Sequence, residues 1–178
     1  MLKIDFDVSN NKPFTEEMIS VLLQYRKLQK DPTAKVPNYF KLQLITLGIT
    51  LVLVIILVVL GIIWEFTVLD IIAISINGLC VLLSSLLILN YKSRVKKVLS
   101  QEIKGVLTLD EDGIETEMRG IQTVRIKWEA VDFVKKLNQS ICFFPKLDST
   151  QIAIFVSNDD KDKVLEYMKE NNISVRII

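Results

Sequence analysis

The chain has 178 residues, half of them hydrophobic, with a mean hydropathy of +0.36, which leaves room for one modest soluble domain plus a membrane element. Its 22 basic and 21 acidic residues give a net charge of +1, so bulk charge selects no partner, and the part outside the apolar segments is not basic enough to favour nucleic acid. With no histidine and no Cys-x-x-Cys pair, the common zinc arrangements and Ser-His or Cys-His catalysis are excluded.

Residues 1–41 read as a cytosolic strand-helix arm. Leu2, Ile4 and Phe6 alternate with Lys3, Asp5 and Asp7, a short strand pattern that Asn10, Asn11 and Pro13 end. Thr15 reads as a helix N-cap, with Glu16 and Glu17 at the positive end of the helix dipole and a Phe14–Ile19 staple. Met18, Val21, Leu22, Tyr25 and Leu28 form one apolar stripe, beside Arg26, Lys27 and Lys30. The stripe suits a membrane surface or the face of a domain further along the chain, and packing on the domain is the expectation. Asp31, Pro32 and Pro37 stop the helix. These residues are polar, with early acidic positions, unlike a signal peptide.

Residues 42–91 predict a hairpin of two transmembrane helices, 42–64 and 69–89. From Leu42 to Tyr91 there is no Lys or Arg, and Glu65 and Asp70 are the only charges. A run of about 20 apolar residues crosses a hydrocarbon core of about 30 Å. Residues 65–68 leave room only for a tight turn. Basic residues flank both outer ends (Arg26, Lys27, Lys30, Lys35, Lys41; Lys92, Arg94, Lys96, Lys97, Lys104) and are missing from the turn, so both termini are expected in the cytoplasm of a cell membrane. Tyr39, Phe40 and Tyr91 at one end, and Trp64 and Phe66 at the other, suit interfacial belts.

Asp70, Asn77 and Ser84 recur every seven residues on one face of the second span, with Gly78 and Ser85 beside them. Folding the hairpin sets Ser84 and Ser85 against Gly48 to Thr50. Asn77, Ser84 and Ser85 are therefore candidates for helix packing, and Asn77 for a homodimer or another homo-oligomer through that face. Cys80 and Cys142 fall in different surroundings, so no disulfide is expected.

The second helix is expected to continue through residues 92–104, by Val95, Val98, Leu99 and Ile103, until Gly105. Residues 105–178 read as strands in meander order followed by a helix. Asp112-Gly113 is a hairpin turn, and Gly120 turns the chain again. Val124, Ile126 and Trp128 alternate with Arg125 and Lys127, which predicts Trp128 in the core. Ile141 and Phe143, then Ile152, Ile154 and Val156, keep the period of two. Asp159 opens a helix bearing Val164, Leu165 and Met168, and Ile173 to Ile178 reads as a last strand. The predicted class is α+β: a helical hairpin plus a small, bent antiparallel sheet capped by one helix.

The turn from Leu109 to Ile114 and the Trp128-x-x-Val131-x-x-Val134 stretch, behind a strand-helix arm and a two-span hairpin, resemble the YcxB-like family of bacterial membrane proteins. The likeness covers essentially the whole chain. Where members carry an "iiPkr" stretch, this chain has Ile154-Phe155-Val156-Ser157. The resemblance implies a pleckstrin-homology-like domain and no activity.

Asp110, Glu111 and Asp112 lack EF-hand spacing and read as a plain acidic turn; no Gly-rich phosphate loop and no cofactor motif is present. Lys92, Arg94, Lys96 and Lys97 are candidates for lipid headgroups. The chain is thus expected to be a non-catalytic membrane protein whose cytosolic domain binds a protein partner, itself or lipid. The alternative is an immunity protein shielding a bacterial membrane against a bacteriocin or secreted toxin.

Overall fold

The computed structural model describes residues 1–9, 11–101, 103–118, 122–146 and 152–178. The expected roles of Asn10 and Gly120 lie outside these residues. The chain divides into two compact units, one made of residues 1–36 with 97–178 and the other of residues 37–96. This differs from the expected split of arm, hairpin, extension and domain. The arm belongs to the same unit as the carboxy-terminal strands.

The reason is a strand pairing. Strand β1 (Leu2–Asp7) runs antiparallel to β2 (Lys104–Leu109), with Ile4 opposite Leu107 and Phe6 opposite Gly105. Strands β3 (Gly113–Met118) and β4 (Gln122–Lys127) complete a four-stranded sheet in the order β1-β2-β3-β4. A second four-stranded sheet has the order β7-β6-β5-β8, built from β5 (Val131–Lys136), β6 (Ser140–Pro145), β7 (Ile154–Ser157) and β8 (Arg176–Ile177). The chain is therefore not one bent antiparallel sheet, and its last strand is not antiparallel. Of the expected 173–178 strand, Arg176 and Ile177 lie parallel to Phe133 and Val134, and Ile178 continues the pairing by donating to the Val134 carbonyl at 2.9 Å and accepting from the Lys136 amide at 2.8 Å.

Strand β5 has no clean alternation in the sequence because Trp128–Ala130 is a 3-10 turn and a bulge falls between Val131 and Phe133. An extra residue in a strand lets side chains three apart share a face. Val131 and Val134 accordingly both enter the main core, with Leu109, Ile114, Ile126, Ile141, Phe143 and Val164. Trp128 is half-buried against that core. Its ring lies 6.2 Å from Phe143, and its Nε1 donates to the Asp110 carbonyl at 2.9 Å.

The arm helix starts earlier than expected. Asn11, not Thr15, is the N-cap of α1 (Lys12–Leu23); its side chain accepts from the Phe14 amide at 3.1 Å, and Pro13 sits where no amide is needed. The stripe then covers the outer face of the second sheet. Val21 of α1 and Leu28 of α2 (Tyr25–Lys30) are fully buried against Phe133, Cys142, Phe144 and Ala153. Tyr25, Phe144 and Phe133 stack in series at 5.4 and 4.6 Å. Burying an aliphatic side chain of this size stabilises by about 1.5–3 kcal/mol. Helix α5 (Asn158–Glu170), capped by Ser157, contributes Val164, Tyr167 and Met168 to the main core.

The second unit is a helical pair. Helix α3 (Tyr39–Trp64) has 26 residues and α4 (Val68–Leu99) has 32, about 39 and 48 Å at 1.5 Å per residue. Both are long and apolar enough to cross a membrane. They exceed the hydropathic spans because backbone hydrogen bonding ignores polarity. Asn38 caps α3 by accepting from the Lys41 amide at 3.0 Å, and α4 ends at Leu99 rather than at Ile103.

Candidate functional site

One end of the helical pair gathers aromatic and basic groups. Tyr91 is buried, with its ring 5.9 Å from Tyr39 and 5.8 Å from Phe40. Lys92 Nζ stands 5.6 Å from the centre of the Phe40 ring, within cation–π range. Arg94 Nε donates to Asn90 Oδ1 at 3.3 Å. Lys96 and Lys97 are exposed. On a helix, Lys92 and Lys96 share one side, and Arg94 and Lys97 another. The four cations therefore spread over a little more than half of the circumference of α4, and the buried Val95 lies in the sector they leave empty.

The other end has no basic residue. Glu65 takes a positive φ of 64° as the chain leaves α3, and the Phe66 ring folds onto Gly61, where a Cβ would overlap it. Thr67 and Asp70 close a capping box at the start of α4. Asp70 Oδ2 accepts from the Thr67 amide at 2.9 Å and from its hydroxyl at 2.6 Å.

The polar residues between these ends are paired within their own helix. Asn77 Nδ2 donates to the Ala73 carbonyl at 2.9 Å, Ser85 Oγ to Val81 at 2.8 Å, Ser75 Oγ to Ile71 at 2.8 Å and Thr50 Oγ1 to Thr46 at 3.0 Å. The expected bonding of hydroxyls across the helix pair is therefore corrected for Ser85 and Thr50. Gly48 and Gly78 do not mark close approach either, since a Cβ on them would meet nothing within 4 Å. Ser84 is buried at 7% exposure.

In the sheet-bearing unit, three polar groups matter that sequence reading had passed over or placed elsewhere. Glu17 accepts from the Asn138 amide at 2.8 Å, the Gln139 amide at 3.0 Å and Ser140 Oγ at 2.8 Å, so it caps the β5–β6 turn rather than its own helix. Buried Lys135 donates to the Pro32 carbonyl; burial lowers its pKa, and Asp31 partly opposes the shift. Burial, then the nearby Glu17, pushes the Cys142 thiol well up, which leaves it protonated and unreactive. In the acidic turn, burial works against the charged form of Asp110 but is outweighed by the Gly113 and Asp112 amides and by Arg125, so its pKa falls. Arg125 meets Asp110 at 2.8 Å and Glu115 at 3.2 Å. Among the described residues, no group of three or more Cys, Asp or Glu is placed to hold a metal ion.

No protein-family model matches the chain, nor does any curated protein or solved structure.

Proposed function

We propose that the chain is a non-catalytic integral membrane protein, with two spans and both termini in the cytoplasm of a bacterial cell, that displays its two-sheet unit at the membrane surface to bind a partner. The observation that carries this is the exposed surface of the helical pair. Ile55, Ile62, Leu79 and Leu89 are 61, 69, 56 and 62% exposed, and most of their apolar neighbours match them. In water each such side chain forgoes about 1.5–3 kcal/mol of burial, whereas in lipid the same surface is solvated. The basic, aromatic end and the base-free turn give the direction. Lys92, Arg94, Lys96 and Lys97 then lie where anionic headgroups are densest, at about 1 kcal/mol per basic residue.

A four-stranded sheet followed by a three-stranded antiparallel meander and a helix supports a pleckstrin-homology-like domain. The helical pair is inserted between the first and second strands. That order also supports the YcxB-like resemblance.

The test is accessibility in whole cells, in a background with Cys80→Ala and Cys142→Ala. Val68→Cys, 74% exposed beside the turn, is expected to react with a membrane-impermeant thiol reagent. Ser100→Cys is expected to react only after lysis. The reverse pattern, or reaction at both sites, overturns the topology.

A further inference from the structure

The arm has two faces. Val21 of α1 and Leu28 of α2 are fully buried against the second sheet. Gln24, between the two helices, donates to the Val21 carbonyl and accepts from the Leu28 amide, each at 3.0 Å, so the helical winding runs on through the junction. At about 100° per residue, Leu22, Leu23, Arg26, Lys27 and Lys30 then fall on the side away from Val21 and Leu28. All five are exposed, and each leucine is 44% exposed. No acidic residue occurs from Met18 to Lys30.

Two features separate this face from leucines strewn singly over a surface, which need no explanation. The first is continuity. Leu22 lines an apolar hollow of about 300 Å³ in the sheet-bearing unit, and Ile152, 55% exposed, lines the same hollow. Leu22, its neighbour Leu23 and Ile152 thus belong to one exposed apolar surface. The second is its place in the chain. Val98, in the last turn of α4, is another wall of the hollow and directly follows Lys97, one of the four basic residues placed above among the headgroups.

We propose that this face docks the sheet-bearing unit on an anionic lipid bilayer, with Leu22, Leu23 and Ile152 entering the interface and Arg26, Lys27 and Lys30 meeting the phosphates. The proposal rests on the two-span reading above, which tethers the unit to a bilayer. A tether raises the local concentration of the lipid surface, so a small patch suffices where a freely diffusing partner would need a larger one. Charge favours lipid over protein as the occupant. Lysine is depleted at protein–protein interfaces, whereas leucines beside lysine and arginine are the make-up of helices that lie in an anionic interface. The long basic stems let the apolar side chains sink while the charged heads stay at the phosphates.

The test uses the full chain in lipid nanodiscs, with Cys80→Ala and Cys142→Ala, and a nitroxide attached at Leu23→Cys, at Ile152→Cys or, on α3, at Val59→Cys. Relaxation by oxygen against a water-soluble nickel chelate reads the depth of each. In discs containing phosphatidylglycerol, the first two are expected about 5–10 Å inside the headgroup boundary and Val59→Cys deeper. Discs of phosphatidylcholine alone should move the first two to the aqueous side and leave Val59→Cys where it is. Arg26→Glu, Lys27→Glu and Lys30→Glu together should do the same in the anionic discs, with amide exchange in β6 as in the parent. The change of lipid needs no substitution among these cations, so it decides the matter even if the charge-reversed arm unpacks. Aqueous readings at Leu23→Cys and Ile152→Cys beside a lipid reading at Val59→Cys would overturn the proposal and leave the spans intact. Aqueous readings at all three would overturn both. Poor access for oxygen and nickel alike at Leu23→Cys would mean that a protein or a second copy covers the face, and would overturn the proposal as well. An unchanged depth in phosphatidylcholine would overturn the choice of an anionic surface.

Discussion

Glu17 and Ser140 meet across 123 residues of chain, with the carboxylate Oε1 accepting from the serine Oγ at 2.8 Å. The same carboxylate takes the amides of Asn138 and Gln139, so one side chain from the arm holds the turn that joins β5 to β6. Hydrogen bonds to a charged acceptor contribute about 1.5–3 kcal/mol, and removing the acceptor leaves donors unmet. Glu17→Ala is expected to destabilise the sheet-bearing unit by about 2 kcal/mol. It should also speed amide exchange at 138 and 139 well before exchange in β2 and β3. Unchanged exchange at those two amides would show that the contact carries no load.

The arm is structurally part of the domain it precedes. Without β1, strand β2 loses its six-residue partner; without α1 and α2, the faces of Phe133, Cys142 and Phe144 meet water. Residues 1–36 joined to 97–178 by a flexible linker are expected to give a soluble, cooperatively unfolding protein. Residues 105–178 alone, which from sequence were expected to fold by themselves, should not. Circular dichroism and a urea melt of both chains decide it, and a sharp melt for 105–178 would refute the dependence.

Tyr25 supplies a pH signature. Burial is the main cause that pushes its phenol up to about 12 from an ordinary 10.0. The folded state thus holds this proton more tightly than the unfolded chain does. Its contribution is whole below pH 10.0 and is lost as the pH climbs towards about 12. In urea melts of the joined chain, Tyr25→Phe should flatten that decline. At neutral pH the variant should be neutral or slightly more stable, because the Tyr25 hydroxyl is buried without a partner. An undiminished alkaline slope in the variant would sink the assignment.

Asn77 has its amide donor on the Ala73 carbonyl of its own helix, so the need for a second copy of the chain to receive it falls away. In a chain with Asn77→Cys, Cys80→Ala and Cys142→Ala, oxidation in native membranes is expected to give no disulfide-linked dimer. Efficient crosslinking there would restore the homodimer through that face.

What the sequence determined by itself was everything that depends on solvent preference and local period. Fifty residues without a cation can only be lipid-facing or buried, and the pair of long apolar helices follows directly. The alternation in β1, β2, β3 and β4, the Asp112-Gly113 turn and the last helix were legible because each is set by neighbours within a few residues. The basic cluster on α4 was legible as composition, though not its spread over more than one side of the helix. Tertiary structure alone decided the rest, because those features depend on partners far apart in the chain. Gln122 to Lys127 ends one sheet and Val131 begins another, a division made by a 3-10 turn and a bulge that no alternation reveals. The pairing of Leu2 with Leu109 makes the arm part of the domain, and no local pattern announces it. Glu17 looked like a helix-dipole residue because its true acceptor role spans more than 120 residues. Thr116 looked like an ordinary strand threonine. Only the register that sets it between Leu107 and Val124 in a buried row leaves its hydroxyl without a hydrogen-bond partner among the described residues.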